Sequence, residues 1–202
     1  MAPSSAPVVD IVFDVEGTGL PVEHALALLR ALEQWLPWLP DEPSAGVHPL
    51  RGSATGYGVL LLAHRAKLVL RMPEARLPDS RALEGRELDV AGSPLRVGAG
   101  RARPLHASAT LHAQRVASAV ADESAFQDEV ARQLGDLGVA CKFITGRRRV
   151  ARAGEREIGG YSVALHGLRA EESLRMQCEG MGGDRCLGWG IFVPAKAIVA
   201  AD

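Results

Sequence analysis

The sequence predicts an α+β fold made of two tandem ferredoxin-like (RRM-like) units, antiparallel sheets with helices on one face. Three observations lead there. The first half reads strand, helix, strand, strand, helix, strand, the split βαβ order of a ferredoxin-like unit. The second half repeats that order of elements without repeating the sequence. The chain has 202 residues, 47% hydrophobic and 23% charged, which is enough to bury two small cores. Only 4% is aromatic, so Leu, Val, Ile and Ala must supply most of the packing. The boundary is expected near residue 105, with an N-terminal unit over 1–105 and a C-terminal unit over 106–202.

Residues 8–15 (VVDIVFDV) form an apolar, β-branched run that reads as a strand, closed by Gly17 and Gly19. Pro21 stands where a first helical turn begins. Over 22–39 the residues Leu26, Leu29, Leu32, Trp35 and Leu36 recur at helical spacing. A loop rich in Pro, Ser and Gly fills 40–56, followed by strands at 57–63 and 67–72 around a short polar turn. A short helix at 80–85 and a strand at 95–97 complete the first unit. In the second, 106–118 reads as a strand. Asp122 caps a helix running to Leu137, with Ala125, Phe126, Val130, Leu134 and Leu137 as its apolar stripe. Residues 139–145 and 161–166 read as paired strands around a long basic connection, 169–180 as a helix, and 190–193 as the closing strand.

A net charge of -1 weighs against a uniformly basic polyanion binder, so any such site must be local. One stretch qualifies. Between Lys142 and Arg156 stand six basic residues (Lys142, Arg147, Arg148, Arg149, Arg152, Arg156) against one acid, Glu155, a local charge of +5. Taken alone, such a run reads as a solvated face. Flanked by strands, it reads as a basic hairpin able to lie along the phosphates of an RNA stem. Cys141, Cys178 and Cys186 lack the spacing of a disulfide framework or zinc site and read as free thiols. Asp14 and Glu16 share a strand face but have no partner acids at ligand spacing, so neither a metal nor a cofactor is expected. No apolar run approaches a membrane span, and residues 1–7 lack the pattern of a leader, so a cytoplasmic location and no membrane partner are expected.

The most informative segment is Gly180-Met181-Gly182-Gly183-Asp184-Arg185-Cys186-Leu187-Gly188-Trp189-Gly190-Ile191-Phe192. Glycines permit positive φ and close approach. Successive amides in such a loop can cradle an anion, and Arg185 adds a planar fork suited to phosphate. A tight turn feeding a last strand is the plain alternative. A Rossmann reading fails, because the loop precedes a strand late in the chain. A phosphate loop of a small metabolic enzyme remains open.

The pattern G-x-G-G-x-R-x-x-G-x-G-x-F resembles the glycine-rich loop of the RAMP superfamily of CRISPR-associated RNA-binding proteins. Its place near the C-terminus is similar to that of the repeat-processing endoribonucleases. Gly19-Leu20-Pro21-Val22-Glu23-His24 resembles that family's opening strand-to-helix junction, and Gly46-Val47-His48-Pro49-Leu50-Arg51-Gly52 its histidine segment. The combination most resembles the processing nuclease of the subtype named after myxobacterial systems. The resemblance implies a metal-independent endoribonuclease acting on CRISPR repeat RNA to give guide RNA. Attack by a 2′-OH would leave 2′,3′-cyclic phosphate and 5′-OH ends. It also implies retention of the cut hairpin and assembly with other subunits of a type I effector complex. A non-catalytic RAMP subunit is the competing reading.

Such self-cleavage needs one group to take a proton and another to give one, which histidine does near neutral pH. His48 is the first candidate, because its Gly/Pro-flanked loop is expected to expose and aim it. His24, in a first helical turn where the positive dipole end favours neutral imidazole, is the second. Tyr57 could orient the phosphate or the 2′-OH. Arg51, three residues after His48, could stabilise the phosphorane, although some relatives carry lysine thereabouts. The first three have structural alternatives: loop surface for His48, helix packing for His24, strand opening for Tyr57. The RNA-binding set comprises Lys142, Arg147, Arg148, Arg149 and Arg152 with Gly180, Gly182, Gly183, Arg185, Gly188 and Gly190. Of the other histidines, His112 is the one expected to face RNA. Strands poor in aromatics predict recognition by backbone shape and phosphate more than by base stacking.

Overall fold

The structure, a computed structural model, describes residues 7–196 of the 202; the leader reading of the opening segment lies mostly outside them. The chain divides into two compact units. One takes in the chain up to Pro104 together with Arg185–Gly188; the other takes in Leu105–Asp184 and the chain from Trp189.

The first unit holds strands β1 (Val8–Glu16), β2 (Gly19–Pro21), β3 (Gly46–Val47), β4 (Gly52–Ala54), β5 (Val59–Leu62), β6 (Lys67–Pro73), β7 (Glu87–Val90) and β8 (Ser93–Pro104), with helices α1 (Ala25–Glu33) and α2 (Leu77–Ser80). Its main antiparallel sheet runs β3-β6-β1-β8-β7, and β2-β5-β4 make a second, three-stranded sheet. The series β1, α1, β3, β6, α2, β8 is the ferredoxin-like order, with its second, third, first and fourth strands side by side and β7 added at the edge.

The helix expected over 22–39 is only nine residues long. Trp35 N bonds back to Leu32 O in a tightened last turn, and Pro37 cannot continue a helix. Leu28, Leu29, Ala31 and Leu32 form the buried stripe of α1. β8 is twelve residues long against the three expected. Its glycines look like strand breakers, yet Gly100 is required. A Cβ there would lie 2.6 Å from Cε1 of Phe13, which is fully buried on the paired strand β1. β7 is not visible to sequence reading; it joins β8 through Ala91-Gly92, a two-residue loop with both residues at positive φ (52° and 80°).

The second unit reproduces the order with strands β9 (Thr110–Ala117), β10 (Lys142–Ala153), β11 (Arg156–His166) and β12 (Val193–Pro194) and helices α3 (Glu123–Asp136) and α4 (Ala170–Glu179). Its sheet runs β10-β11-β9-β12. Asp122 caps α3 as expected, accepting from Ala125 N at 2.9 Å. Phe126 and Val130 of α3 pack into a core with Leu111, Val163, Leu165, Met176 and Phe192. The Phe126 and Tyr161 rings stack with centroids 4.4 Å apart. Glu172 starts α4 by accepting from Arg169 N at 2.9 Å and from Ala140 N at 3.2 Å. The closing strand is at 193–194, not 190–193. Gly190, at φ 66°, spends its N–H on Arg115 O, outside the β12 ladder.

Alanine at a left-handed φ is strained, whereas Asn-Gly is the favoured pair for such a hairpin loop. Ala91→Asn is therefore expected to stabilise the fold by roughly 0.5–1 kcal/mol. Thermal melting would show a higher midpoint; a lower one would contradict the strained-loop reading.

Candidate functional site

A charged ladder crosses the main sheet of the first unit. Asp10 on β1 stands in register with Arg71 on β6 and with Arg103 on β8. Arg71 donates from Nε to Asp10 Oδ1 at 2.8 Å and from Nη2 to Oδ2 at 3.4 Å; Arg103 Nη2 donates to Oδ2 at 3.0 Å. Asp10 is buried and Arg71 fully so, while half of the Arg103 side chain is exposed. Removing one partner of such a pair costs on the order of 3–5 kcal/mol, because a charge is then buried uncompensated.

His48 sits against this ladder. β3 pairs with β6, and just beyond it His48 N donates to Val69 O at 2.9 Å, which fixes where the side chain leaves the backbone. Its Nε2 lies 3.4 Å from Asp10 Oδ1, in contact but not aligned for a hydrogen bond. The expected exposed loop histidine is corrected here: the side chain is only 13% exposed, because the loop folds it onto the sheet. Burial lowers the imidazole pKa below its usual value, Asp10 opposes that shift, and the Arg71 and Arg103 charges add to it. The Asp10 carboxyl, raised by burial, is carried well below the usual carboxylate range by His48 and by the hydrogen bonds and charge of Arg71.

The other three candidates belong to the small sheet and the loops beside it. His24 precedes α1, is buried, and donates from Nδ1 to Pro21 O at 2.8 Å. It occupies the N-cap position without a side-chain bond to the helix amides, outside the first turn proper. Tyr57 is 95% exposed in the turn before β5, beside the point where Val22 N donates to Gly58 O. Arg51 is exposed immediately before β4. Of the four, His48 alone is set against the charged ladder.

In the second unit the basic connection is itself sheet. Lys142, Arg147, Arg148, Arg149 and Arg152 are exposed along β10. Arg152 stands opposite Glu157, and Arg156 is ion-paired with Asp184, so these two positions are partly neutralised. Arg149 is different. Burial lowers the pKa values of Arg115 and His112 on β9, and the charge of Arg149 lowers both further. The Arg115 guanidinium lies 5.7 Å from the centre of the buried Trp189 ring. No acid among the described residues forms an ion pair with Arg115 or Arg149, so positive potential collects there.

The glycine loop departs from the anion-cradle expectation. Gly182 N donates to Gln133 Oε1, Gly190 N to Arg115 O, Met181 N to Gly190 O and Trp189 N to Asp184 O, so these amides serve the loop's own packing. Gly190 at positive φ is obligatory: a Cβ there would meet Met181 O at 2.2 Å. Arg185 is corrected too. It is buried in the first unit and donates from Nη1 to Pro43 O at 3.4 Å, bracing a loop where a phosphate fork was expected. Next to it the Cys186 thiol, pushed up to about 11 by burial, donates to Leu39 O. The groove of about 330 Å³ beside Gly182 and Gly183 carries Glu129, Glu157 and Asp184 against one cation, Arg156, which is itself paired with Asp184; this acidic balance does not favour phosphate or the metabolic phosphate-loop reading.

Comparison with known proteins converges on one group. A family described as Cas6 Crispr matches residues 9–197. The chain belongs to the Cas6 family. A Cas6 relative, the CRISPR-associated endonuclease Cas6 of Myxococcus xanthus (strain DK1622), is 38% identical over 187 residues, covering 92% of this chain and 81% of that one. Among solved structures, a CRISPR-associated protein Cas6 aligns with a TM-score of 0.67 at 11% identity, over 94% of this chain and all of the other. A RAMP protein described as binding different RNA substrates gives 0.65 at 13% identity, over 93% of this chain and all of the other. The CRISPR endoribonuclease Cse3 bound to a 19-nucleotide RNA gives 0.55 at 13% identity, over 93% and 98%. The family match covers residues of both units, and the fold neighbours are Cas6 and RAMP folds.

Sequence reading of this Cas6 chain missed Asp10, Arg71, Arg103 and Arg115. The signal available was a charged residue inside each of two apolar strand runs, VVDIV and LVLRM. Because the Asp10 carboxyl is depressed on folding, its stabilisation is present above the unfolded carboxyl pKa of about 4 and lost as pH falls below it. Melting midpoints of the wild type should therefore fall more steeply below pH ~4 than those of Asp10→Asn. Equal slopes would count against the ladder. Arg185→Met is expected to lower stability by about 1–3 kcal/mol, read as a fall in the melting midpoint.

Proposed function

We propose that this Cas6-family endonuclease is a metal-independent endoribonuclease that cuts CRISPR repeat RNA to guide RNA and keeps the hairpin it has cut. The observation that carries the reading is His48, held against Asp10 with its pKa lowered. A histidine resting neutral near pH 7 can accept a proton. In the proposed step His48 takes the proton of a 2′-OH, the 2′ oxygen attacks the adjacent phosphorus, and the bond to the 5′ oxygen breaks. The leaving oxygen takes a proton from a second group, for which His24 is the candidate, or from water. The products are a 2′,3′-cyclic phosphate and a 5′-OH.

Charge on the phosphorane calls for a nearby cation. Arg51 follows His48 on the same loop, and half-exposed Arg103 already acts on the His48 charge. Tyr57, fully solvated, is available to position the RNA. The second unit supplies affinity: Arg147, Arg148 and Arg149, with Lys142 and Arg115, offer phosphate contacts along a hairpin, in keeping with recognition by backbone shape. Arg152 makes a weaker contribution because Glu157 lies opposite, and the glycines act by shaping the loop. Assembly with further subunits of a type I effector complex and a cytoplasmic location complete the proposal. No helix among the described residues is long and apolar enough to cross a membrane.

The test is cleavage of a labelled repeat RNA in EDTA, paired with binding. Wild type is expected to cut at one site. His48→Ala is expected to bind equally but cut about 10²–10⁴-fold more slowly. Loss of wild-type cleavage in EDTA would overturn metal independence. Binding without cleavage by the wild type, with or without added divalent metal, would favour a non-catalytic RAMP subunit. Arg149→Ala should weaken binding and reduce the slope of log affinity against log salt by about 0.7–0.9 for each phosphate that the arginine neutralises in the wild type.

A further inference from the structure

We infer that Asp10 is the positioning residue for His48, holding the imidazole with its Nε2–H turned inward and leaving Nδ1 as the atom that meets the RNA. The inference rests on the reading of His48 as the proton-accepting group. A carboxylate offers only lone pairs, so the ring nitrogen that faces it carries the hydrogen. Nε2 is that nitrogen: it lies 3.4 Å from Oδ1, an electrostatic contact without the alignment of a full hydrogen bond, and the carboxylate's charge favours the hydrogen on the nearer nitrogen. Asp10 in turn cannot swing away. Arg71 grips both of its oxygens from one neighbouring strand and Arg103 grips Oδ2 from the other, with Arg71 wholly buried beneath them.

The cost of this arrangement points to a purpose beyond holding the sheet. β1 is otherwise apolar around Asp10, with Val8, Val9, Ile11 and Phe13 all buried. Apolar residues of similar volume would hold three strands together at least as well as a buried ion pair. What an apolar replacement could not do is fix which nitrogen of His48 is protonated. Partners that orient an active imidazole do that work, and they also stabilise the imidazolium once it forms. The ladder balances the two demands: Arg71 and Arg103 favour the neutral resting ring, and Asp10 receives the charge when the 2′-OH proton arrives at Nδ1. The groups facing His48 are thus Asp10 from β1, Arg71 from β6 and Arg103 from β8.

The experiment uses the full chain in two arms. In the first, ¹⁵N imidazole shifts of the wild type, assigned by comparison with His48→Gln, are recorded above the His48 titration. The Nε2–H tautomer is expected, and an Nδ1–H tautomer overturns the inference whether or not any variant folds. In the second arm, single-turnover cleavage by Asp10→Asn is followed against pH at saturating repeat RNA. The rate is expected to fall about 10- to 100-fold with RNA affinity unchanged. The acidic limb of the profile should move to lower pH, because the ring loses the group that raises its pKa. An Asp10→Asn profile identical to wild type, with His48→Ala inactive, defeats the positioning role alone. Full-rate cleavage by His48→Ala defeats the catalytic reading beneath it.

Discussion

The buried contact of Asp10 with Arg71 is the constraint around which the first unit is arranged. It spans the pair β1 and β6, reaches Arg103 on β8, and receives His48 at the end of β3. Four segments far apart in the chain therefore converge on one carboxylate. A charge buried this deeply is tolerable only with its partners in place. Register among the three strands and the direction of His48 are consequently fixed together. A one-residue slip of β1 would turn Asp10 to the opposite face and leave Arg71 uncompensated.

The second unit solves a different problem, the presentation of many like charges. A twelve-residue strand paired with an eleven-residue partner holds the arginines in line along β10. Glu157 stands opposite Arg152 and Asp184 pairs with Arg156 of β11, while Arg149 and Arg115 have no ion-pair partner among the described residues. This is how a chain of net charge -1 can carry a polyanion surface. The glycine loop serves packing: its positive φ angles and internal amide bonds bring backbone close against backbone, as at Gly190 and Met181.

Local features were legible in the sequence, and non-local ones were not. The Asp122 cap and the α3 stripe depend on neighbours within one turn, and both stand where the spacing puts them. The ferredoxin-like order was legible because each element carries its own periodicity. β8 was legible only over 95–97, since its continuation depends on Gly100 lying against the Phe13 ring of a distant strand. Asp10 reads by alternation as one polar position in a strand; only residues 61 and 93 positions away reveal it as buried. His48 was found by its segment, but its burial depends on that same distant partner. Arg185 misled because a guanidinium beside glycines suits phosphate equally well, and only Pro43 decides where it points.

The most direct test of the mechanism is single-turnover cleavage of a repeat RNA carrying one 2′-deoxy nucleotide immediately 5′ of the cut site. If His48 removes a proton from that hydroxyl, the modified RNA should bind with unchanged affinity and remain uncut. Cleavage at the normal rate would mean that water, and not the 2′ oxygen, attacks the phosphorus, and the role given to His48 and to the ladder behind it would be wrong.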